Sequence, residues 1–203
     1  FDKNVIEFVT VAAEFCAFLE RAESMKRSTF VDTTLKILPL LYLKASMLPK
    51  CEMIGDESPE TYVTEEIYEV LRINLASILV EKDDYLEVFL PDMAYSDEPI
   101  KKNISEDLAD IYQDIKDFIF VFQLGLNETM NDSLAICQEN FGLLWGQKLV
   151  NTMRALHDVK YSPKARGEDE EEEEYEPENN EDCHCEDDDC HCHDHGCHCH
   201  DDE

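Results

Sequence analysis

The sequence predicts an all-α fold, a bundle of about five helices followed by a disordered acidic, Cys/His-rich C-terminal tail. Apolar residues recur every three or four positions through most of the first 160 residues, which is the spacing of amphipathic helices. Alternating runs of β-branched residues, which would indicate a sheet, do not occur. At Ser162 the composition changes to self-repelling acids. We therefore expect a helical domain over residues 1–161, an acidic disordered linker over 162–182 and a Cys/His-rich metal-binding tail over 183–203.

The first predicted helix covers residues 4–26. Its apolar side chains recur at helical spacing and would share one face. They are Val5, Phe8, Val9, Ala12, Cys16 and Leu19. Because Cys16 belongs to this face, we interpret it as a small buried hydrophobic side chain rather than a ligand.

The second predicted helix follows directly and runs to about residue 47. Ser28 or Thr29 is expected to cap its N-terminus, because a hydroxyl oxygen there accepts a hydrogen bond from a free backbone N–H. Pro39 lies inside the apolar pattern. Since proline removes one backbone donor, we expect a kink or a division of the helix at about Leu38.

The middle of the chain is predicted to alternate loops and one helix. Residues 49–63 combine prolines, a glycine and acids, which indicates a surface loop with Cys51 as an ordinary thiol. A third helix over residues 64–82 begins with acids that favour the positive helix N-terminus. Residues 83–102 place aromatics between acids and contain two prolines, so we expect an ordered loop with room for one short helical turn.

The fourth helix is predicted to begin at Ser105, with Asp107 in its first turn, and to end at Gly125. Residues 118–126 are apolar almost all round, so we expect this helix to be the central one.

The fifth helix is predicted over residues 128–157. Gly142 and Gly146 are four positions apart on it, which favours a close helix–helix contact. We expect His157, near its end, to complement the helix C-terminus or to point to solvent.

The charge of the chain is strongly acidic in both parts. The formal net charge is −31, and residues 162–203 carry 19 acids against Lys164 and Arg166. This balance argues against nucleic acid and anionic membrane surfaces and favours metal cations or basic proteins as partners. Solubility and self-repulsion explain the acidity of the helical part about as well. An apolar run of about 20 residues and the pattern of a signal peptide are both absent from the sequence.

The cysteines favour a cytoplasmic location. Cys16, Cys51 and Cys137 are widely scattered and suggest no disulfide framework. The other six lie in Cys-x-Cys pairs, and such thiols stay available to a metal only where they stay reduced.

The sequence CHCEDDDCHCHDHGCHCH, residues 183–200, is the strongest chemical signal in the chain. Cys-His-Cys recurs three times in it with a period of seven. Thiolate and neutral imidazole are good ligands for borderline and soft cations, so we predict a transition-metal site. The predicted ligands are Cys183, His184, Cys185, Cys190, His191, Cys192, His193, His195, Cys197, His198, Cys199 and His200.

Zn²⁺ is the expected metal, with Ni²⁺ or Cu⁺ as alternatives. Zinc takes four ligands, so twelve side chains could fill as many as about three mononuclear sites, or hold fewer metals if thiolates bridge. Residues 168–203 contain Tyr175 as their one aromatic and no aliphatic side chain, which argues for storage, buffering or delivery rather than a folded zinc module. A solvated tail without function and a redox-active thiol tract remain open. The interleaved histidines argue against a purely redox role.

The helical part shows no motif of a known catalytic site. His157 is its single histidine and no Glu-x-x-His occurs, so the di-metal carboxylate bundle is not expected. Catalytic triads need a histidine or an equivalent base, and no glycine-rich phosphate loop exists. Residues 83–98 could hold a hard cation such as Ca²⁺, although they lack the EF-hand spacing. They could equally dock a basic partner, or pack across the bundle with their aromatics inward.

Four stretches of the helical part together resemble a known family. They are LPLLYLKAS (38–46), DDYLEVFLPDMAYSDEPI (83–100), SEDLADIYQDIKDF (105–118) and NETMNDSLAICQENFGLLWGQKLVNTMRALH (127–157). They look like the uncharacterised bacterial family called domain of unknown function 5063. The resemblance covers most of residues 1–160 and implies a compact helical domain, with no activity attached. The tail lies outside it and is similar in style to metal-holding tails on some nickel and zinc accessory proteins.

The sequence thus predicts a non-enzymatic cytoplasmic protein that buffers or delivers zinc, nickel or copper through its tail. The alternative is a helical protein–protein interaction module of unknown role for which the tail is incidental.

Overall fold

The computed structural model describes residues 2–87 and 100–162 of the chain. Six α-helical segments are present in the described residues, and the last two are joined by a π-helical segment, Phe141–Trp145, into one continuous helix. The bundle therefore consists of five helices. The elements are α1 (Lys3–Glu20), α2 (Arg27–Ser46), α3 (Glu65–Leu79), β1 (Asp84–Leu86), β2 (Lys101–Asn103), α4 (Ile104–Gln123), α5 (Asn127–Asn140) and α6 (Gly146–Tyr161). The predicted helical bundle is confirmed.

Helix α4 lies at the centre of the bundle, as predicted. It packs against α1, α3, α5 and α6. Its apolar stripe is buried almost completely, including Leu108, Ile111 and Ile115. Gly125 ends this helix with φ 75°, a conformation that glycine adopts without steric cost.

Aromatic side chains fill the core around α4. Phe8 on α1 lies 5.5 Å from Phe118, and Phe18 stacks on Phe30 of α2 at 5.6 Å between ring centroids. Cys16 is 2% exposed, which confirms that it is a buried hydrophobic residue. The burial of these side chains supplies the main driving force for folding.

Helix α2 differs from the prediction at its start and at its proline. Lys26, not Ser28 or Thr29, occupies the N-cap position, and no side chain caps this end. Pro39 does not divide the helix, which continues to Ser46. Leu38 and Leu41 on either side of Pro39 are fully buried, so their packing stabilises the helix on both sides of the proline. Pro39 itself is exposed, where water can bind the carbonyl that has lost its partner.

Residues 83–102 were predicted to be a loop, but the two ends of this segment form the paired strands of a β-hairpin. The prediction is therefore wrong at both ends. β1 and β2 pair antiparallel, with Tyr85 opposite Lys102. Before β1, Val80 has φ 50°, which is unfavourable for a β-branched residue. Its backbone N–H closes the end of α3 by bonding the Ala76 carbonyl. The strands have only three residues each, too few to show an alternating pattern in sequence.

The hairpin is fixed to the N-terminus of α4 by Asp83. Its carboxylate accepts hydrogen bonds from the Ser105 backbone N–H and hydroxyl, both at 2.7 Å. Asp83 therefore satisfies a free N–H of the first helical turn from outside the helix. The expected start of α4 at Ser105 is displaced by one residue to Ile104.

The glycine pair on the last helix has a different role from the predicted one. A Cβ at Gly142 would meet no atom of the described residues within 4 Å, so none of the described helices packs closely on it. A Cβ at Gly146 would lie 2.3 Å from the Phe141 carbonyl oxygen. The close contact is therefore inside the π segment, where each turn holds more residues than in an α-helix, and not between helices.

The loop between α2 and α3 is tied to α5. The Asp132 carboxylate accepts hydrogen bonds from the backbone N–H groups of Ile54 (2.6 Å) and Gly55 (2.8 Å). The Gln138 side chain accepts a hydrogen bond from the Cys51 backbone N–H and donates to the carbonyls of Leu48 and Pro49. These bonds hold an acidic loop in one place beside the bundle.

In residues 2–87 and 100–162 we find no helix with the length and apolar character that crossing a membrane requires.

Candidate functional site

The twelve predicted metal ligands, from Cys183 to His200, lie outside the described residues. The metal site and its occupancy therefore remain predictions. Helix α6 ends at Tyr161, whose side chain is 50% exposed, so the chain leaves the bundle at its surface.

The described residues contain a second candidate site that the sequence reasoning missed. Four carboxylates, Asp107, Asp110, Asp114 and Asp117, are spaced three, four and three positions apart on α4. This spacing puts them on one face of the helix. All four are buried or half-buried.

Asp107 is the first carboxylate of this row and lies next to the β-hairpin. It accepts a hydrogen bond from the Tyr85 hydroxyl of β1 and is only 3% exposed. Burial raises the pKa of Asp107 to about 6, against opposing effects of the Tyr85 hydrogen bond and the Lys148 and Lys102 charges. The predicted position in the first turn is confirmed, but this side chain points into the protein.

Asp110 joins three helices. It accepts a hydrogen bond from the Tyr68 hydroxyl of α3 at 2.8 Å and forms an ion pair with Lys148 of α6. Burial and the Asp110 hydrogen bond raise the pKa of Tyr68 above its usual value. Burial opposes the charge of Lys148, but the bond to Asp110 leaves the Lys148 pKa raised. Tyr68 and Lys148 therefore both keep their protons at neutral pH.

Asp114 and Asp117 bond to neutral donors instead. Asp114 accepts a hydrogen bond from the Asn140 amide at 2.6 Å, and Asp117 accepts two from the backbone N–H groups of Tyr62 and Val63, both at 2.7 Å. Burial raises the pKa of Asp114 and of Asp117. In the described part of the chain neither carboxylate forms an ion pair.

These carboxylates border a cleft of about 420 Å³ between α4, α5 and the loop before α3. We call it the α4 cleft. Its apolar wall is formed by Phe118, Val121, Ile136 and Leu144. Its polar rim is formed by Glu60, Thr61, Asp110, Gln113, Asp114, Asp117, Ser133, Asn140 and Lys148. A concave, mainly apolar surface with a few convergent polar groups is the usual form of a binding site.

The π segment shapes one side of the α4 cleft. Asn140, Leu144 and Lys148 border the cleft and are spaced four apart across Phe141–Trp145. Below them Trp145 is fully buried and its indole N–H donates to the Cys137 carbonyl at 3.1 Å. π-Helical segments inside α-helices occur frequently at functional sites.

The other predicted features offer no metal site among residues 2–87 and 100–162. No group of three or more His, Cys, Asp or Glu side chains there could hold a metal ion. In the acidic segment 83–98, Asp83 bonds Ser105, Asp84 pairs with Lys101 at 3.2 Å, and Glu87 accepts from Asn151. The acids of this segment from residue 88 onward lie outside the described residues.

The isolated thiols and the histidine have ordinary surroundings. Cys16, Cys51 and Cys137 are free thiols, and burial raises the pKa of Cys16 to about 12. Cys51 is half-buried, and its sulfur lies 3.0 Å from the Asn131 side-chain oxygen. His157 is exposed, with its ring 4.6 Å from Tyr161.

Comparison with known proteins gives a family and no activity. The profile of the family described as Domain of unknown function (DUF5063) matches residues 1–162. The crystal structure of protein BF1032 from Bacteroides fragilis is similar to this chain, with 92% sequence identity and a TM-score of 0.74. That similarity covers 82% of this chain and 98% of the other. No curated protein matches the sequence. The chain belongs to the DUF5063 family.

Proposed function

We propose that this protein is a non-enzymatic transition-metal-binding protein of the cytoplasm that buffers or delivers zinc through its C-terminal tail. The observation that carries this proposal is the threefold Cys-His-Cys repeat, which puts twelve sulfur and nitrogen ligands within residues 183–200. Ni²⁺ and Cu⁺ suit the same ligands. The helical body, which leads into the tail at the exposed Tyr161, would act as its carrier.

The acids of the tail support metal capture. Residues 168–203 have 19 acids and no lysine or arginine, so they raise the local concentration of cations. Cysteine and histidine must lose protons to bind a metal. We therefore expect zinc affinity to weaken as the pH falls.

The test is a zinc titration of the reduced full-length protein in competition with a chromophoric chelator. A variant with all six tail cysteines changed to serine should lose high-affinity binding, because serine does not supply a thiolate. Cys51→Ser is the matched control and should bind as the natural chain does, since Cys51 lies in the helical body. Equal affinity of the six-serine variant and the natural chain would overturn the proposal.

The imidazoles are tested separately by changing His184, His191 and His198, the central residues of the three repeats, to glutamine. If these histidines are ligands, the affinity should fall although all thiols remain. An unchanged affinity would exclude the three central imidazoles as ligands and leave the thiolates with His193, His195 and His200 as the candidates.

The α4 cleft favours a second candidate, a helical interaction module whose tail is incidental. The supporting observation is that Asp114 and Asp117 border a cleft without an ion pair in the described chain. Under this candidate, six-serine substitution would leave partner binding unchanged.

A further inference from the structure

We infer that the α4 cleft docks a lysine- or arginine-bearing peptide segment of a partner protein. This inference concerns the helical body and does not depend on metal binding by the tail.

The net negative charge of the cleft favours the binding of a cation. Glu60, Asp110, Asp114 and Asp117 border it, against one base, Lys148. The Lys148 ammonium is already paired with Asp110. A basic side chain between Asp114 and Asp117 would compensate two carboxylates that burial makes unfavourable as anions.

The wall of the cleft suits the stem of a long basic side chain. Ile136 and Leu144 offer apolar surface beside the carboxylates, with the buried Phe118 and Val121 behind them. Lysine and arginine bury their methylene groups along such surfaces while their charged ends reach polar groups. A hydrated metal ion would leave this wall without a partner.

An acidic loop extends the negative surface beyond the cleft, which favours a peptide over a single small cation. Residues 52–60 carry Glu52, Asp56, Glu57 and Glu60 and no base, and Glu60 borders the cleft itself. A peptide with several basic residues could contact both the cleft and this loop. Such charge complementarity accelerates association and selects the partner.

The loop is held in position before any partner arrives. Asp132 of α5 fixes the backbone of Ile54 and Gly55, and a Cβ at Gly55 would lie 2.8 Å from an Asp132 oxygen. Asp117 fixes the backbone of Tyr62 and Val63 at the other end. Binding would therefore cost little ordering of the loop.

The test is fluorescence anisotropy of a labelled nine-residue peptide of alternating arginine and alanine, titrated with the full-length protein under reducing conditions with a chelator. A peptide with citrulline in place of arginine has the same shape without the charge and should not bind. Asp114→Asn should weaken binding by about fivefold or more, because it removes a charge from the cleft. Glu23→Gln is the matched control: it removes one exposed charge outside the cleft and should change the Kd less than twofold.

Two further variants keep the test decisive if Asp114→Asn folds poorly. Glu60→Gln changes an exposed loop residue at the rim and should weaken binding in the same direction. Gln113→Trp keeps the net charge but adds bulk at an exposed position on the rim, and should block the cleft. Thermal melting of each variant identifies those that fold.

Two results would overturn the inference, and each indicates a different kind of binding. If Glu23→Gln weakens binding as much as the cleft variants, the peptide responds to the overall charge only. If spermine binds as tightly as the peptide and shows the same sensitivity to the variants, the cleft is a small-cation site. Zinc binding by the same variants should stay unchanged, so failure here and failure of the metal proposal can be told apart.

Discussion

The helical body and the C-terminal tail are both acidic, but their acids have different neighbours. In the body, Asp83 caps α4, Asp132 holds a loop and Asp107 is buried against Tyr85. In the tail, acids flank cysteines and histidines in a sequence without aliphatic side chains. Acidity alone therefore predicts no role. Substitutions in the body should change stability and leave metal binding intact, and substitutions of the tail ligands should do the reverse.

The largest effect is expected at Trp145, which is fully buried beneath the α4 cleft. Trp145→Ala should lower the free energy of unfolding by about 3–5 kcal/mol, because it leaves a cavity and removes the indole hydrogen bond to the Cys137 carbonyl. Urea unfolding measures this. Leu143→Ala in the same π segment is the control, since Leu143 is 70% exposed, and should cost less than about 0.5 kcal/mol. Similar losses in both variants would contradict the described packing.

A smaller loss is expected from Asp83→Ala. The change removes the acceptor of two hydrogen bonds from Ser105, and we expect a cost of about 2 kcal/mol. Asp84→Ala serves as the comparison, because the Asp84 ion pair with Lys101 is exposed and worth little. Thermal unfolding at neutral pH distinguishes them, and an equal effect of the two changes would show that Asp83 is not the cap of α4.

Asp107→Asn should stabilise the protein at pH 7. Asp107 has a pKa of about 6 when folded and about 4 when unfolded, so its charged form disfavours the folded state. The stability it contributes is present below the unfolded pKa and is lost as pH rises to the folded pKa. Asp107→Asn should therefore raise the free energy of unfolding by about 1–3 kcal/mol at pH 7.5 and by almost nothing at pH 4. Urea unfolding of both proteins across this pH range measures the difference between their free energies of unfolding. A difference that does not change with pH would contradict the account.

The smallest gain is expected from Val80→Gly. Val80 has a positive φ and is 62% exposed, so glycine would relieve backbone strain and lose little burial. We expect a stabilisation of about 1 kcal/mol. Val70→Gly is the opposite control, because Val70 is exposed within α3 and glycine there should destabilise the helix by a similar amount. Calorimetry should give shifts of Tm with opposite signs.

The sequence predicted the helices well where periodicity and end signals agree. The third helix was predicted to begin at residue 64, and Thr64 is its N-cap, with a 3.3 Å bond from the Ile67 N–H; Gly125 ends α4 as predicted. Pro39 was expected to kink or divide α2, and the helix is not divided because the residues around the proline are buried. The hairpin was missed because its pairing is set by Asp83 and Tyr85 contacts with α4, which are remote in sequence.

The α4 cleft was predictable only in part. The spacing of Asp107, Asp110, Asp114 and Asp117 indicates a shared helix face, and this signal is visible in the sequence. Their burial depends on α3, α5 and α6, and the π segment that shapes the cleft has only Gly146 as a local sign. Neither follows from the local sequence.

Native mass spectrometry with elemental analysis of the untagged protein, purified under reducing conditions, tests the central claim most directly. The account predicts about one to three bound metal ions per full-length chain, mainly zinc, and none on the six-serine variant. Metal-free full-length protein that also fails to take up added zinc would contradict metal binding by the tail, and so would the same metal content in both proteins.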